Sequence, residues 1–161
     1  MRQNIAMDIS AGSDYAVRAL LCLTDTYLED PTTLMASADI AAEQQIPVKF
    51  LEAILSELKH AGLVDSKRGA HGGYHLGKHP REISVADVLR IIDGPLAAVK
   101  GENPESVKYQ GSAAHLQEVW IAARVAIRDI LEEVSLYQIA TNKLPVRITK
   151  TLDKPGAWKR R

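Results

Sequence analysis

The sequence predicts a mostly α-helical chain carrying one small β-hairpin, and three observations carry that prediction. Apolar residues recur at helical spacing in successive stretches along the chain. Aromatic residues are scarce, 5%, in a composition that is 46% hydrophobic and 25% charged, an ordinary globular balance. Only residues 63–76 alternate apolar with polar about a glycine-rich centre, as a hairpin of half-buried strands does.

Residues 1–8 read as a loose leader, with Met7 a second candidate start. From Ser10 or Ser13, both suitable N-caps, Ala16, Leu20, Leu23 and Tyr27 follow helical spacing, and Val17, Leu21 and Leu28 widen the stripe. This helix is expected to be buried on most sides, with Cys22 a core residue rather than a reactive thiol. Asp30-Pro31 ends it, because proline disfavours helical geometry in the residue before it. Ser37 is placed to cap a two-turn helix over 38–44 that turns Ile40 and Ala41 inward. Pro47 suits the first position of the next helix, Val48–His60, whose inner face carries Leu51, Ile54, Leu55 and Leu58. Gly62 fits a left-handed cap.

The two helices are joined by a linker short enough for a helix-turn-helix. Residues 63–67 and Gly73–Leu76 then form strands around Arg68-Gly69-Ala70-His71-Gly72, a sharp turn with a basic tip. A hairpin this short must pack on the helices to persist. Helix, turn, helix and hairpin in this order describe a winged helix-turn-helix over residues 9–95. Ser84 caps its last helix, Val85–Asp93, with Val85, Val88, Leu89 and Ile92 inward, and Asp93-Gly94-Pro95 closes it.

The loop that follows, 96–111, is long and poor in apolar residues, the kind that is usually functional or mobile. Beyond it, region 112–141 opens with a long helix, about 112–134. Leu116, Trp120, Ala123, Ile127, Ile130 and Val134 follow one another there at spacings of 4, 3, 4, 3 and 4, the seam of a coiled coil. This seam predicts a homodimer interface, while Val119, Ile121 and Val125 are expected to meet the domain body. A short segment, Leu136–Ala140, turns back after Ser135. Residues 142–161, with Pro145 and Pro155, lack periodicity and read as a flexible basic tail, or one extended along a partner.

The net charge is zero but unevenly spread. Lys143, Arg147, Lys150, Lys154, Lys159, Arg160 and Arg161 against Asp153 give the tail +6. Lys59, Lys67, Arg68, Lys78 and Arg81 against Asp65 give residues 59–81 +4, and His60, His71, His75 and His79 lie in the same window. Such local charge suits a phosphate-contacting surface, or simply a solvated face. No apolar run reaches the roughly 18 residues of a membrane span, and no signal peptide opens the chain. With Cys22 the sole cysteine, no intrachain disulfide or cysteine-rich metal site can form, and a cytoplasmic location is the default expectation.

A helix fits the major groove of B-DNA and offers base edges its N-terminal residues. Pro47, Val48, Lys49 and Phe50 form that exposed first turn here. Lys49 is a candidate for a base or phosphate, and Glu52 for a cytosine amine. At the hairpin, Arg68 is a candidate for a narrow minor groove, which attracts arginine. Ser37, Lys67, His71, Gly72 and Tyr74 complete the candidate DNA contacts. Each has a plainer reading as a surface or fold-stabilising residue.

The string DYAVRALLCL and the stretch from ADIAAEQQIP to RIIDGP carry a resemblance. Tyr15-Ala16, Gly62-Leu63-Val64, Arg68-Gly69 with Gly72-Gly73-Tyr74, and Asp93-Gly94-Pro95 are its specific parts. Over about residues 8–95 the chain resembles the Rrf2 family of bacterial winged-helix transcription regulators, which includes iron–sulfur, nitric-oxide and cysteine-metabolism regulators. The resemblance implies that the helix from Val48 reads the major groove, that Arg68 enters the minor groove, and that Glu52 occupies a recognition-helix position. Cluster-binding members hold iron–sulfur through cysteines in the loop after the Asp93 helix. Residues 94–111 contain none, so the resemblance carries over no cofactor and no metal site. Asp14 aligns with a carboxylate ligand of one branch and reads instead as a helix N-terminal charge. His115 reads as a solvent-facing or structural residue.

The expectation is therefore a homodimeric, sequence-specific DNA-binding repressor acting on double-stranded DNA. Its signal would be a small molecule or another protein at the loop and the helix seam, or Cys22 acting as a thiol switch, which requires exposure and a lowered pKa. The alternative is a winged-helix interaction module without DNA contact, motivated by Glu52 and Glu57 offsetting Lys49 and Lys59. No Ser-His-Asp order, HExxH or P-loop marks an enzyme, and Gly69–Gly73 lacks the strand-to-helix context of a nucleotide loop.

Overall fold

A nineteen-residue helix, α1 (Ala11–Glu29), is the centre on which the other elements pack. The structure, a computed structural model, describes residues 9–99 and 101–159. The leader expected at 1–8 and the tail's final arginines lie outside the described residues. Ser10 is the N-cap, its hydroxyl accepting from the Ser13 N–H at 3.0 Å. Ala16, Ala19, Leu20, Cys22 and Leu23 are buried, whereas Leu28 stands 41% exposed in the last turn. α2 (Ser37–Gln44) and α3 (Val48–His60) follow, then β1 (Val64–Lys67), β2 (Gly73–Leu76) and α4 (Val85–Asp93).

Two expected caps differ in detail. Ser37 is the first helical residue of α2, and Ala36 takes the cap position with no side-chain bond. Pro47 is likewise the N-cap of α3, with ψ 127, rather than its first helical residue. Both shifts are of one residue, because an extended residue before the helix already lends its carbonyl. α4 carries a full capping box: Ser84 Oγ accepts from the Asp87 N–H at 3.1 Å, and Asp87 accepts from the Ser84 N–H at 3.0 Å. Its inner face uses Ala86, Val88 and Leu89, while Val85 and Ile92 are only half-buried. At its other end, Asp93 accepts from the hydroxyls of Ser10 and Ser13, both at 2.6 Å. A carboxylate thus sits at the positive end of α1 and ties α4 to it.

The C-terminal half departs most from expectation. The loop contains a 3-10 turn at Pro104–Ser106 and a second at Gly111–Ala113. The long helix, α5, therefore begins only at Leu116 and runs to Glu133. Val134 is not part of the helical seam. It ends α5 in an extended conformation and is buried in its own chain, because Ser135 starts a new capping box on α6 (Leu136–Ala140). Leu136 is fully buried in the same core as Leu20, Leu51 and Leu55. The core therefore draws on residues well past position 95. The tail is partly helical: α7 (Val146–Leu152) is held to α5 by Arg147, which donates to Glu133 at 2.7 Å and to the Asp129 carbonyl at 2.9 Å.

Cys22 faces Glu43 of α2, its thiol donating at 3.2 Å. Burial, then that acidic partner, pushes its pKa up to about 12, so it stays a neutral thiol at physiological pH. No helix among the described residues is long and apolar enough to cross a membrane. Because Leu136 closes the core, Leu136→Ala should lower stability by about 2–5 kcal/mol in urea unfolding. A loss within about 0.5 kcal/mol, the range of a surface substitution, would show that α6 adds nothing to the core.

Candidate nucleic-acid interface

The spacing of leucines and isoleucines that buries one face of α3 leaves the other to solvent. Lys49, Glu52, Ala53 and Ser56 recur there at i, i+3, i+4 and i+7, all exposed. The first turn adds Val48 and Phe50, the latter 63% exposed, and Pro47 before them. α2 holds this helix in place through the turn at Gln45, a left-handed residue with φ 53. From α1, Arg18 reaches that turn. Its Nε donates to the Gln44 side chain at 3.3 Å, its Nη2 donates to the Gln44 carbonyl, and its other end pairs with Asp14 at 3.1 Å.

The hairpin stands beside the exposed face of α3. β1 and β2 pair antiparallel, with Val64 opposite Leu76 and Lys67 opposite Gly73. A third strand segment joins them. Met35 and Tyr74 exchange backbone hydrogen bonds of 2.9 and 2.8 Å, so β2 has a partner on both edges. That pairing needs a bare backbone at Gly73, where a Cβ would lie 2.7 Å from the Met35 carbonyl oxygen. At Gly72 a Cβ would lie 2.3 Å from the Lys67 carbonyl oxygen, so the turn closes only with glycine there. Lys59 ties α3 to β1 by donating to Ser66 Oγ at 2.7 Å.

Between α3 and the hairpin lies a cleft of about 430 Å³. Ser37, Lys67, Arg68, Gly72 and Tyr74 from the predicted set line it together with Ser56 and Lys59. Arg68 and His71 are exposed at the tip, and Arg68 forms no ion pair among the described residues. Tyr74 is half-buried, its ring packed on the core, so its structural role is plain. Lys49, Glu52, Val48 and Phe50 lie on the N-terminal half of α3, outside that cleft.

The basic window is only partly available to a ligand. Arg81 stacks on the Tyr137 ring at 3.7 Å, and His79 meets Tyr27 edge-on at 5.6 Å. Sequence reasoning counted Lys59 within the basic window without placing it at the site, and passed over Ser56, Arg18 and Met35. Lys59 and Ser56 were legible as the continuation of the exposed α3 stripe. The others act through contacts distant in sequence, for which no local pattern exists.

At the far side of the domain, α5 buries no residue within its own chain. Trp120 is 36% exposed and Ile130 38%, with Leu116, Ala123 and Ile127 half-covered. Of the three residues expected to meet the domain body, Val119 is 56% exposed and Val125 36%, while Ile121 is half-buried. Ile121 lies one turn from Gln117, which donates to the carbonyls of Pro104, Glu105 and Val107 at 2.9–3.1 Å.

Comparison with known proteins agrees with this geometry. The family Rrf2, described as an iron-dependent transcriptional regulator, matches residues 9–142. A Mycobacterium tuberculosis protein named provisionally as an HTH-type transcriptional regulator is 42% identical over 147 residues, 91% of this chain and 89% of that one. The HTH-type transcriptional regulator CymR of Bacillus subtilis is 34% identical over 84% of this chain and 91% of its own. The solved structure of CymR, described as the global cysteine regulator of B. subtilis, superimposes with a TM-score of 0.71 at 30% identity. It covers 84% of this chain and 97% of CymR. That of T. potens IscR gives 0.67 at 29% identity, covering 84% and 87%.

The close approach at Gly72 makes a local prediction. Gly72→Ala should destabilise the hairpin by on the order of 1–3 kcal/mol. The effect is expected as faster amide exchange at Met35 and Tyr74 with α1 unchanged. Equal protection in both proteins would mean that the turn has room for a side chain.

Proposed function

The chain belongs to the Rrf2 family of DNA-binding transcriptional regulators, which are not enzymes, and from that premise we propose that it acts as a homodimeric repressor. Its α3 would enter the major groove and its hairpin the adjacent minor groove. The observation that carries this reading is the solvent-facing stripe Lys49, Glu52, Ser56 standing beside an unpaired Arg68 on a braced hairpin. Lys49 and Glu52 offer a donor and an acceptor to base edges, and exposed Phe50 suits a thymine methyl. Arg68 and Lys67 supply charge for phosphates and for a narrow minor groove. Occupying a site is enough to exclude other proteins from it, which is repression in its simplest form.

Dimerisation rests on α5. A helix with an apolar stripe and no buried residue gains its stability from a partner, and the half-covered stripe Leu116, Trp120, Ala123, Ile127 and Ile130 fits a second copy of itself. Two-fold symmetry would then present two reading heads to successive turns of DNA.

We propose further that this member works without an iron–sulfur cluster. The supporting chemistry is the donor set: its single cysteine, Cys22, is buried on α1 with its thiol on Glu43. Among the described residues no group of three or more His, Cys, Asp or Glu side chains is arranged to hold a metal ion.

Two outcomes test the reading. Arg68→Ala should weaken binding to an operator fragment about tenfold or more and flatten its salt dependence, measured by fluorescence anisotropy across a salt series. Unchanged affinity would remove the hairpin from the interface. Ile127→Asp should convert a dimer to a monomer in analytical ultracentrifugation and abolish operator binding with it. A dimer that survives the aspartate would place the interface elsewhere.

A further inference from the structure

On the flank of α5 beside the seam, a second cleft of about 470 Å³ opens between the end of α4, the start of the loop and α5. It is lined by Arg90, Gly94, Pro95, Leu96, Glu105, Arg124 and Arg128. Three guanidinium groups thus share the cavity with one carboxylate. Arg90 pairs with Glu132 and, at 3.9 Å, with Asp87, and Arg124 Nη1 pairs with Glu105 at 2.5 Å. The Arg128 guanidinium makes no ion pair or hydrogen bond among the described residues, and its charge acts across the cleft on the Glu105 carboxylate. Arg124 carries a further deficit. Its Nε is shut off from solvent and has no acceptor.

A guanidinium group offers paired N–H donors that match two oxygens of a carboxylate or phosphate. Arg124 Nε itself is closed off, so the donors open to a ligand lie among the Nη groups and on Arg128. Arg124 and Arg128 lie one helical turn apart on the same stripe of α5, so their forks converge on one region. Pro95 and Leu96 supply an apolar wall for the remainder of a ligand. The volume falls in the range of small-molecule sites, about 300–1,000 Å³.

We propose that this cleft binds a small organic oxyanion, a carboxylate or a phosphate ester, gripped by Arg124 and Arg128 and closed on the α4 side by Arg90. Its place in the fold gives the ligand leverage. α4 packs on both α1 and α3, while α5 carries the proposed dimer seam. A ligand tying Arg90 to Arg128 would add to the ties that already join the reading head to the dimer helix. This consequence rests on the DNA-binding reading; the site itself does not.

The test is isothermal titration of the full chain with sodium phosphate and with sodium succinate, at an ionic strength held constant with sodium chloride. Saturable binding of one anion per chain is expected. Preference for phosphate would indicate a phosphate ester as the natural ligand, and preference for succinate a carboxylate. Arg128→Gln should weaken binding about tenfold or more, and Arg128→Lys less, because it keeps the charge and loses the fork. Arg90→Gln repeats the test from the other wall, and unchanged melting temperatures would establish that the variants fold. Arg68→Ala should bind the anion normally. Heats no larger than those of chloride, wild-type affinity in folded Arg128→Gln, or loss of binding in Arg68→Ala would each overturn the site. Operator binding by the same preparations separates the readings. Anion saturation without operator binding removes the regulator and keeps the cleft, and the reverse removes the cleft alone.

Discussion

Two backbone hydrogen bonds hold the two halves of the chain together. The Val85 N–H donates to the Val134 carbonyl at 2.9 Å, and the Leu136 N–H donates to the Ile83 carbonyl at 3.0 Å. Between these pairs Ser84 and Ser135 face each other, each capping its own helix with its own hydroxyl. The chain leaves the head at Asp93, travels out along the loop and α5, and returns to within a strand's spacing of where α4 began. Without that return α5 would hang from the head by a flexible loop. With it, both ends of the excursion are anchored, and Val134 and Leu136 are buried as the reward of closure. The direction of α5 relative to α3 is thereby a fixed quantity, which a dimer needs if its two heads are to match one spacing.

Charge is distributed in the same economical way. Part of the positive charge concentrated in residues 59–81 and in the tail is engaged within the fold: Lys59 on Ser66, Arg81 on Tyr137, Arg147 on Glu133. Arg68 on the hairpin tip and Arg128 in the cleft between α4 and α5 form no ion pair among the described residues. Exposed ion pairs contribute little individually, about 0–1 kcal/mol, so these pairings shape the surface more than they stabilise it.

The elements of residues 9–95 were legible in the sequence because their signals are local. Proline at 31 and 47, glycine at 62 and the 3.6-residue period of α1 and α3 each fix an element without help from elsewhere. The C-terminal part was less legible for physical reasons. The heptad pattern continued through Val134, but the pattern cannot see that Ser135 begins a new cap. Ser112 has the chemistry of an N-cap, yet Gly111, with φ 61, starts a 3-10 turn that delays α5 to Leu116. α7 is too short to be stable alone and owes its place to Arg147 reaching Glu133 and Asp129. At the candidate interface, exposure of Lys49, Phe50, Glu52 and Arg68 followed from period and turn chemistry. The packing of Tyr74 and the bracing by Met35 did not, since both depend on a segment nearly forty residues upstream.

That third strand segment at Met35 has a thermodynamic consequence. A free two-stranded ribbon would sample many orientations, and most of them would be lost when it met another molecule. Here the ribbon is paired on both edges of β2 and pinned to α3 through Lys59. Association then resembles rigid-body docking, with ordering confined to the side chains of the tip and of α3. The conformational entropy that a mobile ribbon would surrender on contact has already been given up during folding.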